Sequence, residues 1–518
     1  MASGLVKNAF SDLAVAASIV TLVYIDLIRK FLLVSKEDAY YLPIYGFLDY
    51  LTAVVLMLGM SLLCFLAIRK LRKINSSILT LLSSFLVFFA LLNPVQFIIA
   101  SILRREYHPE GLVYQWIIAP EIVKVIAVLT ALLGLGIFVK FYWRLFRAVR
   151  MFFLITSPFA ALVILQLMWH AITAFAIEND RFKGDVEDLA SPIVQSHQAD
   201  QPSRVLVIVF DELDYRLVFE ERPTAIRLLE FDRLTEQAIK FTNVPSVSTH
   251  TKEAIPTLLV GKKVLKTTIV DRETLLLHFN DAKDSQSLSS MPNLFSQAHQ
   301  SGKSLSIVGS YHPYYRLFRE LYKECLRGWR NEGPLKSHES NHDLLRRTQS
   351  MFLEAFPYPP YTVAEIWRYG VILQRIKEMV GRFDVDLIFL HIMLPHKPII
   401  FDGRQERMTP FNYSPWGYFD NLALTDKCLG ELRRVLENAG LWDNTTVLVT
   451  SDHPWRKAKK YTGKRDKRVP ILLKMPNQQG AVVYEKEFPP MRVKDLVLRI
   501  LDRQLIDPNM VIEWVEKQ

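Results

Sequence analysis

Long uncharged runs in the first third of the chain constrain its fold most. A bilayer-spanning helix needs about 20 apolar residues, and five stretches before residue 178 approach or exceed that length. They run from Phe10 to Ile28, from Leu51 to Ile68, from Ile78 to Leu103, from Val125 to Val139 and from Met151 to Ile177. Asp12 and Asp26 lie near the ends of the first, Asn93-Pro94 marks a kink in the third, and Glu121 and Lys124 stand at the start of the fourth. The fifth carries Pro158 and His170. The first stretch has no small-residue cleavage site before Glu37-Asp38, and four more follow it, so it reads as a span and not as a signal peptide. The expected layout is a five-helix transmembrane domain over 1–177, a linker over 178–203 and a water-soluble domain over 204–518.

Charge supports that division. The chain carries a formal net charge of +10, of which residues 1–177 supply +7. The excess sits between apolar runs, at Arg69, Lys70, Arg72 and Lys73 and again at Lys140, Arg144, Arg147 and Arg150. Basic short loops face the cytoplasm. The expected orientation therefore has the amino terminus inside and everything after Ile177 outside, and nucleic acid is excluded as a partner. Three cysteines in 518 residues exclude a disulfide scaffold, and Cys325 with Cys428 is the only pair available to the soluble domain.

Beyond the polar stretch 178–203, buried-strand runs alternate with helical patterns. VLVIVF (Val205–Phe210), SLSIVGSY (Ser304–Tyr311), VDLIFLHIM (Val385–Met393), TVLVTS (Thr446–Ser451) and VPILLKM (Val469–Met475) read as strands. Helices are expected over about Pro223–Lys240, Val363–Arg382, Tyr418–Asn438 and Val493–Gln504. Such alternation implies an α/β layer fold with a largely parallel central sheet, whose ligands sit beyond the carboxyl ends of the strands.

Three of these strands end in polar clusters. Asp211-Glu212 follows the first, His391 and His396 end the third, and Asp452-His453 follows the fourth. Carboxylates after buried strands are costly to desolvate without a partner. Two acidic ends at one sheet edge repel unless a cation lies between them, and carboxylates with imidazole suit Zn²⁺ or Mn²⁺. The hydroxyl-rich segment SVSTHTKEAIP leads into a helix, where Thr249 or Thr251 is a candidate cap. A hydroxyl there faces the partial positive charge of the helix end, which favours an alkoxide or a phosphoryl group.

FDELDYR, THTKEAIP, LHIMLPHKP and TSDH, in this order, make the chain resemble the alkaline phosphatase/sulfatase superfamily. Five spans ahead of the domain resemble one branch of it, the membrane-anchored phosphoethanolamine transferases and the lipoteichoic acid synthase type of phosphoglycerol transferase. The resemblance implies an α/β sulfatase-like domain with one or two divalent metal ions, Zn or Mn. It implies that Asp211, Glu212, Asp452 and His453 are metal ligands and that Thr251 is both nucleophile and ligand. His396, with His391 as the alternative, would contact the phosphate. His312 in GSYHPYYR is a candidate to line the cleft. The basic run Arg456–Arg468 is a candidate anion-binding rim. Within it, Lys464 stands where some zinc transferases of the family have a further histidine.

The chain departs from true sulfatases, because Thr251 is followed by KEAIP and not by the motif that is converted to formylglycine. The reading that follows is a transferase at the cytoplasmic membrane with its catalytic domain outside. It would move a phosphoethanolamine or phosphoglycerol head group from a phospholipid donor, through a phosphothreonine, to a glycan or lipid acceptor of the cell envelope. Two rivals are a phosphodiesterase or phosphatase with the same site, and a non-catalytic envelope-assembly protein. Pro454, Trp455 and Arg456 after the Asp-His pair, where the family usually begins with Gly, motivate the second rival.

Overall fold

The apolar runs fold as helices wherever they are described. The protein is represented by a computed structural model, which describes residues 2–32, 35–41, 45–73, 121–184, 203–279, 285–309, 311–319, 321–327, 351, 360–412, 417–464 and 466–517. The chain forms two units: Met1–Val34, Pro43–Ser191 and Gly333–Ala364 make the first, and Ser35–Leu42, Pro192–Glu332 and Glu365–Gln518 the second.

The first unit contains α1 (Ala2–Val23), α2 (Ile25–Leu32), α4 (Phe47–Lys73) and α5 (Glu121–Gly184), while α3 (Lys36–Tyr41) belongs to the second unit. Among the described residues two helical segments, Phe47–Lys70 and Arg147–Phe175, are long and apolar enough to cross a membrane, and Asn8–Val23 is a shorter apolar helix. Their faces expose Leu58, Leu62, Ile155, Leu162 and Trp169, apolar surface of the kind that marks a membrane or partner face. Two expectations change here. Lys140–Arg150 is helical, not a loop, so the fourth and fifth stretches form one helix of 64 residues. Basic and aromatic residues do not break a helix, and no proline occurs between Pro120 and Pro158. The third stretch, Ile78–Leu103, lies outside the described residues, as does most of the linker. Inside this unit Arg150 pairs with the buried Asp12 at 3.4 Å and donates to Ser11 at 2.8 Å. His170 stacks on Tyr50 with ring centroids 5.4 Å apart.

The second unit is built on an eight-stranded sheet. Its strands are β1 (Arg204–Asp211), β2 (Ile239–Asn243), β6 (Leu305–Gly309), β7 (Glu324–Arg327), β8 (Leu387–Pro395), β11 (Thr445–Ser451), β12 (Ile471–Lys474) and β13 (Val482–Glu487), in spatial order β13-β2-β12-β11-β1-β8-β6-β7. A three-stranded sheet of β3 (Lys266–Ile269), β4 (Leu275–His278) and β5 (Ser285–Ser287) and the pair β9 (Phe401–Asp402) and β10 (Arg407–Met408) lie apart from it. β1 is parallel to both neighbours, β11 and β8, and is buried along its whole length. Val205, Val207 and Val209 face one core, with Ile255 and Leu259 of α6 (Thr251–Val260). Leu206, Ile208 and Phe210 face the other, with Ile376 of α7 (Pro360–Val380) and Leu432 of α8 (Gly417–Asn438). A parallel strand covered on both faces must be apolar at every position, which is why VLVIVF reads as an unbroken run.

The sheet is mixed, though largely parallel. β12 runs antiparallel to both β11 and β2. Between β11 and β12 the only helix among the described residues is Ala458–Thr462, five residues long, too short for the crossover that a parallel pair needs. The helix expected over Pro223–Lys240 shrinks to Leu229–Thr235, and its end becomes part of β2. Ile239 and Phe241, alternately buried, put strand periodicity there. Cys325 and Cys428 are not joined by a disulfide.

One buried acid ties α8 to that shortened helix. Asp426 Oδ1 accepts from the Glu230 and Phe231 N–H groups at 3.0 and 2.9 Å, the donors a helix start leaves unpaired. Burial nonetheless pushes its pKa up to about 6. A carboxyl whose native pKa lies above its unfolded value near ~4 binds more protons in the folded state between the two. Its ionisation therefore erodes stability as pH rises from about 4 to about 6. Asp426→Asn keeps an oxygen acceptor and removes the charge, so the full-length variant should gain on wild type by up to about 2 kcal/mol across that range. Thermal melts at pH 4.5 and 7.5 measure this, and an unchanged gap between the two proteins contradicts it.

Candidate metal centre and active site

The parallel pairing of β11 with β1 sets Ser451 opposite Phe210, so Asp211 and Asp452 leave the sheet side by side. On the other flank the β1–β8 ladder skips residues, passing from Phe210 opposite Ile392 to Asp211 opposite Pro395. Such an irregularity re-aims a strand end. The next residue, Glu212, has φ of +68°, a left-handed conformation that non-glycine residues rarely adopt and that clusters at functional sites. Its backbone is held by the Asp452 carboxylate, which accepts from the Glu212 N–H at 3.2 Å, and by Tyr418, whose hydroxyl donates to the Glu212 carbonyl at 2.9 Å.

Asp211, Asp452 and His453 are buried, and one ligand atom from each lies within 4.8 Å of the others. His453 Nδ1–H donates to the Pro454 carbonyl at 3.0 Å. A carbonyl can only accept, so that bond puts the proton on Nδ1 and leaves the Nε2 lone pair facing inward. This lone pair lies 3.5 Å from Asp452 Oδ2, 3.9 Å from Asp211 Oδ1 and 3.4 Å from Thr251 Oγ1. Two carboxylates and an imidazole lone pair aimed at one another repel in a buried space. A divalent cation among them removes the repulsion, and the mixed N/O donor set suits Zn²⁺ or Mn²⁺. Burial opposes ionisation of Asp452, yet His453, His391 and hydrogen bonds from Thr251 and the Glu212 N–H hold its pKa below the usual carboxylate value.

Thr251 is the first residue of α6 and is buried, with His250 at the cap position. The hydroxyl thus sits at a ten-residue helix start, against His453. The Glu212 carboxylate pairs with Arg456, whose Nε donates to it at 2.8 Å. Arg456 also donates to His396 Nε2 at 3.2 Å, while His396 Nδ1–H donates to the Lys397 carbonyl at 2.7 Å. His396 therefore presents an occupied acceptor, and Arg456 is the cation at that position. In the sequence Arg456 stood in a basic run and in the departure after the Asp-His pair, without a role at the site.

The other two histidines lie deeper. His391 is wholly buried, with Nδ1 3.0 Å from the Tyr314 hydroxyl. Burial lowers its pKa to about 4. Gly309 opposite it on β6 leaves room for the Tyr314 ring, which a Cβ would strike. His312 is also buried, beside Thr251, and burial, followed by the nearby His391, lowers its pKa to about 3. Both imidazoles are neutral at pH 7. Lys464 is exposed, and its carbonyl accepts from Arg216 at 3.2 Å. The fold thus gathers Asp211, Asp452, His453 and Thr251 at one point, sets His391 and His312 on one side, places Glu212 and His396 with Arg456, and leaves Lys464 on the surface. Tyr40 and Tyr314, which hold the two buried histidines, carried no signal in the sequence.

A family model described as Sulfatase matches residues 376–503. This segment is sulfatase-like. No curated protein matches the sequence. Among solved structures, a phosphonate monoester hydrolase of Agrobacterium radiobacter is 14% identical, with 58% of this chain and 74% of that one aligned at a TM-score of 0.40. A protein in the alkaline phosphatase superfamily from Vibrio parahaemolyticus is 11% identical over 58% of this chain and 66% of its own, at 0.38. Murine ectonucleotide pyrophosphatase/phosphodiesterase 5 is 12% identical over 58% and 95%, at 0.34. The sulfatase-like segment contains β8, β11, the Asp452-His453 pair and His391, His396 and Arg456.

Metal content checks the centre directly. Asp452→Asn and His453→Ala should each lower Zn²⁺ or Mn²⁺ affinity by at least about tenfold. They should also remove the rise in melting temperature that added metal gives the wild type. Glu212→Gln, whose carboxylate belongs to Arg456, should bind metal like the wild type. Equal loss in Glu212→Gln contradicts the division of roles drawn above.

Proposed function

We propose that the protein is a metal-dependent phosphotransferase of the sulfatase/alkaline phosphatase type, with Thr251 as nucleophile and a phospholipid as donor. The observation that carries this reading is the Thr251 hydroxyl, buried at a helix start and 3.4 Å from His453 Nε2. A helix amino terminus favours negative charge, so an oxygen there is suited to ionise and to bond a phosphoryl group. A divalent ion held by Asp211, Asp452, His453 and Thr251 would lower the hydroxyl's pKa and offset charge on the phosphoryl oxygens.

The chain's own residues divide the remaining work. In the first step the Thr251 Oγ–P bond forms and the P–O bond to diacylglycerol breaks. The threonine proton leaves to water and the diacylglycerol oxygen takes one up, so the head group is held as a phosphothreonine diester. In the second step an acceptor hydroxyl bonds to phosphorus and its proton passes to the departing Thr251 oxygen. Arg456, fixed by Glu212 and His396, suits a phosphoryl oxygen, and neutral His391 and His312 suit uncharged hydrogen bonding to the same group. Apolar helices in the same chain support a lipid donor. An extracytoplasmic catalytic unit and a glycan or lipid acceptor of the cell envelope complete the reading.

Head-group release from labelled phosphatidylethanolamine and phosphatidylglycerol by the purified full-length protein tests it. Thr251→Ala should lose at least about a thousandfold in kcat, whereas Thr251→Ser keeps the nucleophile's oxygen and should retain a measurable part. Wild-type turnover in Thr251→Ala overturns the assignment. Product analysis with and without an added glycan separates transfer from hydrolysis.

A further inference from the structure

The helix α3 is the clearest unexplained feature of the second unit. Its sequence, KEDAYY, follows the first apolar stretch, yet residues 35–42 belong to the unit that carries the sheet. Four contacts hold it there. Tyr40 is wholly buried, and its hydroxyl lies 2.8 Å from His312 Nδ1. Arg316 donates to the Tyr40 carbonyl. The Tyr41 hydroxyl donates to that of Tyr311 at 3.3 Å, and Lys252, next to Thr251, pairs with Glu37 at 3.3 Å. Tyr40 also joins the apolar core that contains β1 and α6.

The direction of the Tyr40–His312 bond follows from the number of partners. The Tyr40 hydroxyl has His312 Nδ1 as its single hydrogen-bond partner among the described residues. A buried phenol proton needs an acceptor, and Nδ1 is the acceptor in reach. Tyrosine therefore donates, Nδ1 carries the lone pair, and the imidazole proton sits on Nε2. That Nε2 atom is buried and makes no hydrogen bond of full geometry among the described residues, and the Thr251 main-chain carbonyl is a weak acceptor beside it. A buried N–H with so weak an acceptor gains from a ligand oxygen in better alignment.

The geometry points to Tyr40 as a positioning residue of the active site: it fixes His312 as an Nε2–H donor, directed at an oxygen of the phosphoryl group that Thr251 receives. The role rests on the phosphoryl reading of the Thr251 site. Through it α3, a segment from between apolar helices, becomes part of the anion-binding wall of the catalytic unit. Arg456 supplies the charged donor of the site and His312 the neutral one.

Inorganic phosphate is the probe, titrated calorimetrically into the metal-loaded full-length protein. Tyr40→Phe keeps the ring and removes the donor, so phosphate affinity should fall about five- to tenfold while metal content stays as in wild type. His312→Gln retains an N–H donor and has no tautomer. Adding Tyr40→Phe to that variant should therefore have no further effect, a coupling that general loosening of α3 would not produce. Nitrogen-15 spectra of histidine-labelled protein, with His312 assigned from the Gln variant, should show the Nε2-protonated tautomer in wild type and a mixture in Tyr40→Phe. The proposal is overturned by wild-type phosphate affinity in Tyr40→Phe, by an equal loss in the His312→Gln background, or by an Nδ1-protonated His312 in wild type. Absence of phosphate binding by the wild-type protein also overturns it. If phosphate binding and its coupling behave as expected while no variant or wild type releases lipid head groups, the lipid-donor reading fails and the role of Tyr40 stands.

Discussion

Two carboxylates leave adjacent parallel strands at the same level, and an imidazole lone pair is turned toward both. That electrostatic conflict governs the second unit. The pairing of Phe210 with Ser451 fixes Asp211 beside Asp452, and the Pro454 carbonyl fixes the tautomer of His453. Neither can relax without breaking β1 or β11 at the centre of the sheet. A divalent cation would offset this charge pattern, so the strand order itself builds the candidate metal site. The left-handed Glu212 and the skipped ladder at Asp211 are its local consequences: the chain must turn away from the carboxylates as soon as it has delivered them.

Around that centre the donors divide by charge. On one side the Arg456 guanidinium donates both to Glu212 and to His396 and links the two. On the other, His391 and His312 lie fully buried, and desolvation keeps them neutral. A tyrosine hydroxyl holds each of these two at Nδ1. The arrangement offers a phosphoryl group one cationic donor and two neutral ones.

The strand ends were legible because buried parallel strands read as unbroken apolar runs, so a carboxylate or histidine at their ends stands out. Asp211, His391 and Asp452-His453 emerged in that way. The partners of those residues did not, because they come from elements with no such contrast. Arg456 was hidden in a run of lysines and arginines, and only the turn after His453 aims it back at Glu212. The two acids at 211 and 212 looked equivalent in sequence, yet a single left-handed residue sends their carboxylates to different partners. The sheet read as largely parallel, and nothing marked β12 as the strand that runs against its neighbours, because strand periodicity carries no direction. It is the short Ala458–Thr462 helix that turns it antiparallel. In the first unit, the basic segment Lys140–Arg150 has the composition of a loop but no residue that stops a helix, and it continues α5.

Chain order and spatial order part company most at α3. Apolar stretches flank it on both sides, so sequence reading assigns residues 35–42 to the membrane half. Yet Tyr40 is buried in the core shared by β1 and α6 and hydrogen-bonds His312, which lies beside Thr251. The division of the chain at its polar linker is therefore not a division of the site. A fragment beginning at Arg204 retains the sheet, both carboxylates, His453 and Thr251, and so retains everything the metal centre needs. It lacks the phenol that orients His312, and it leaves a tyrosine-sized gap among Tyr311, His312 and Arg316. The candidate metal cluster and the environment of His312 are for that reason separable in this protein: the first belongs to the sheet, and the second also includes a segment that lies, in sequence, between the apolar helices.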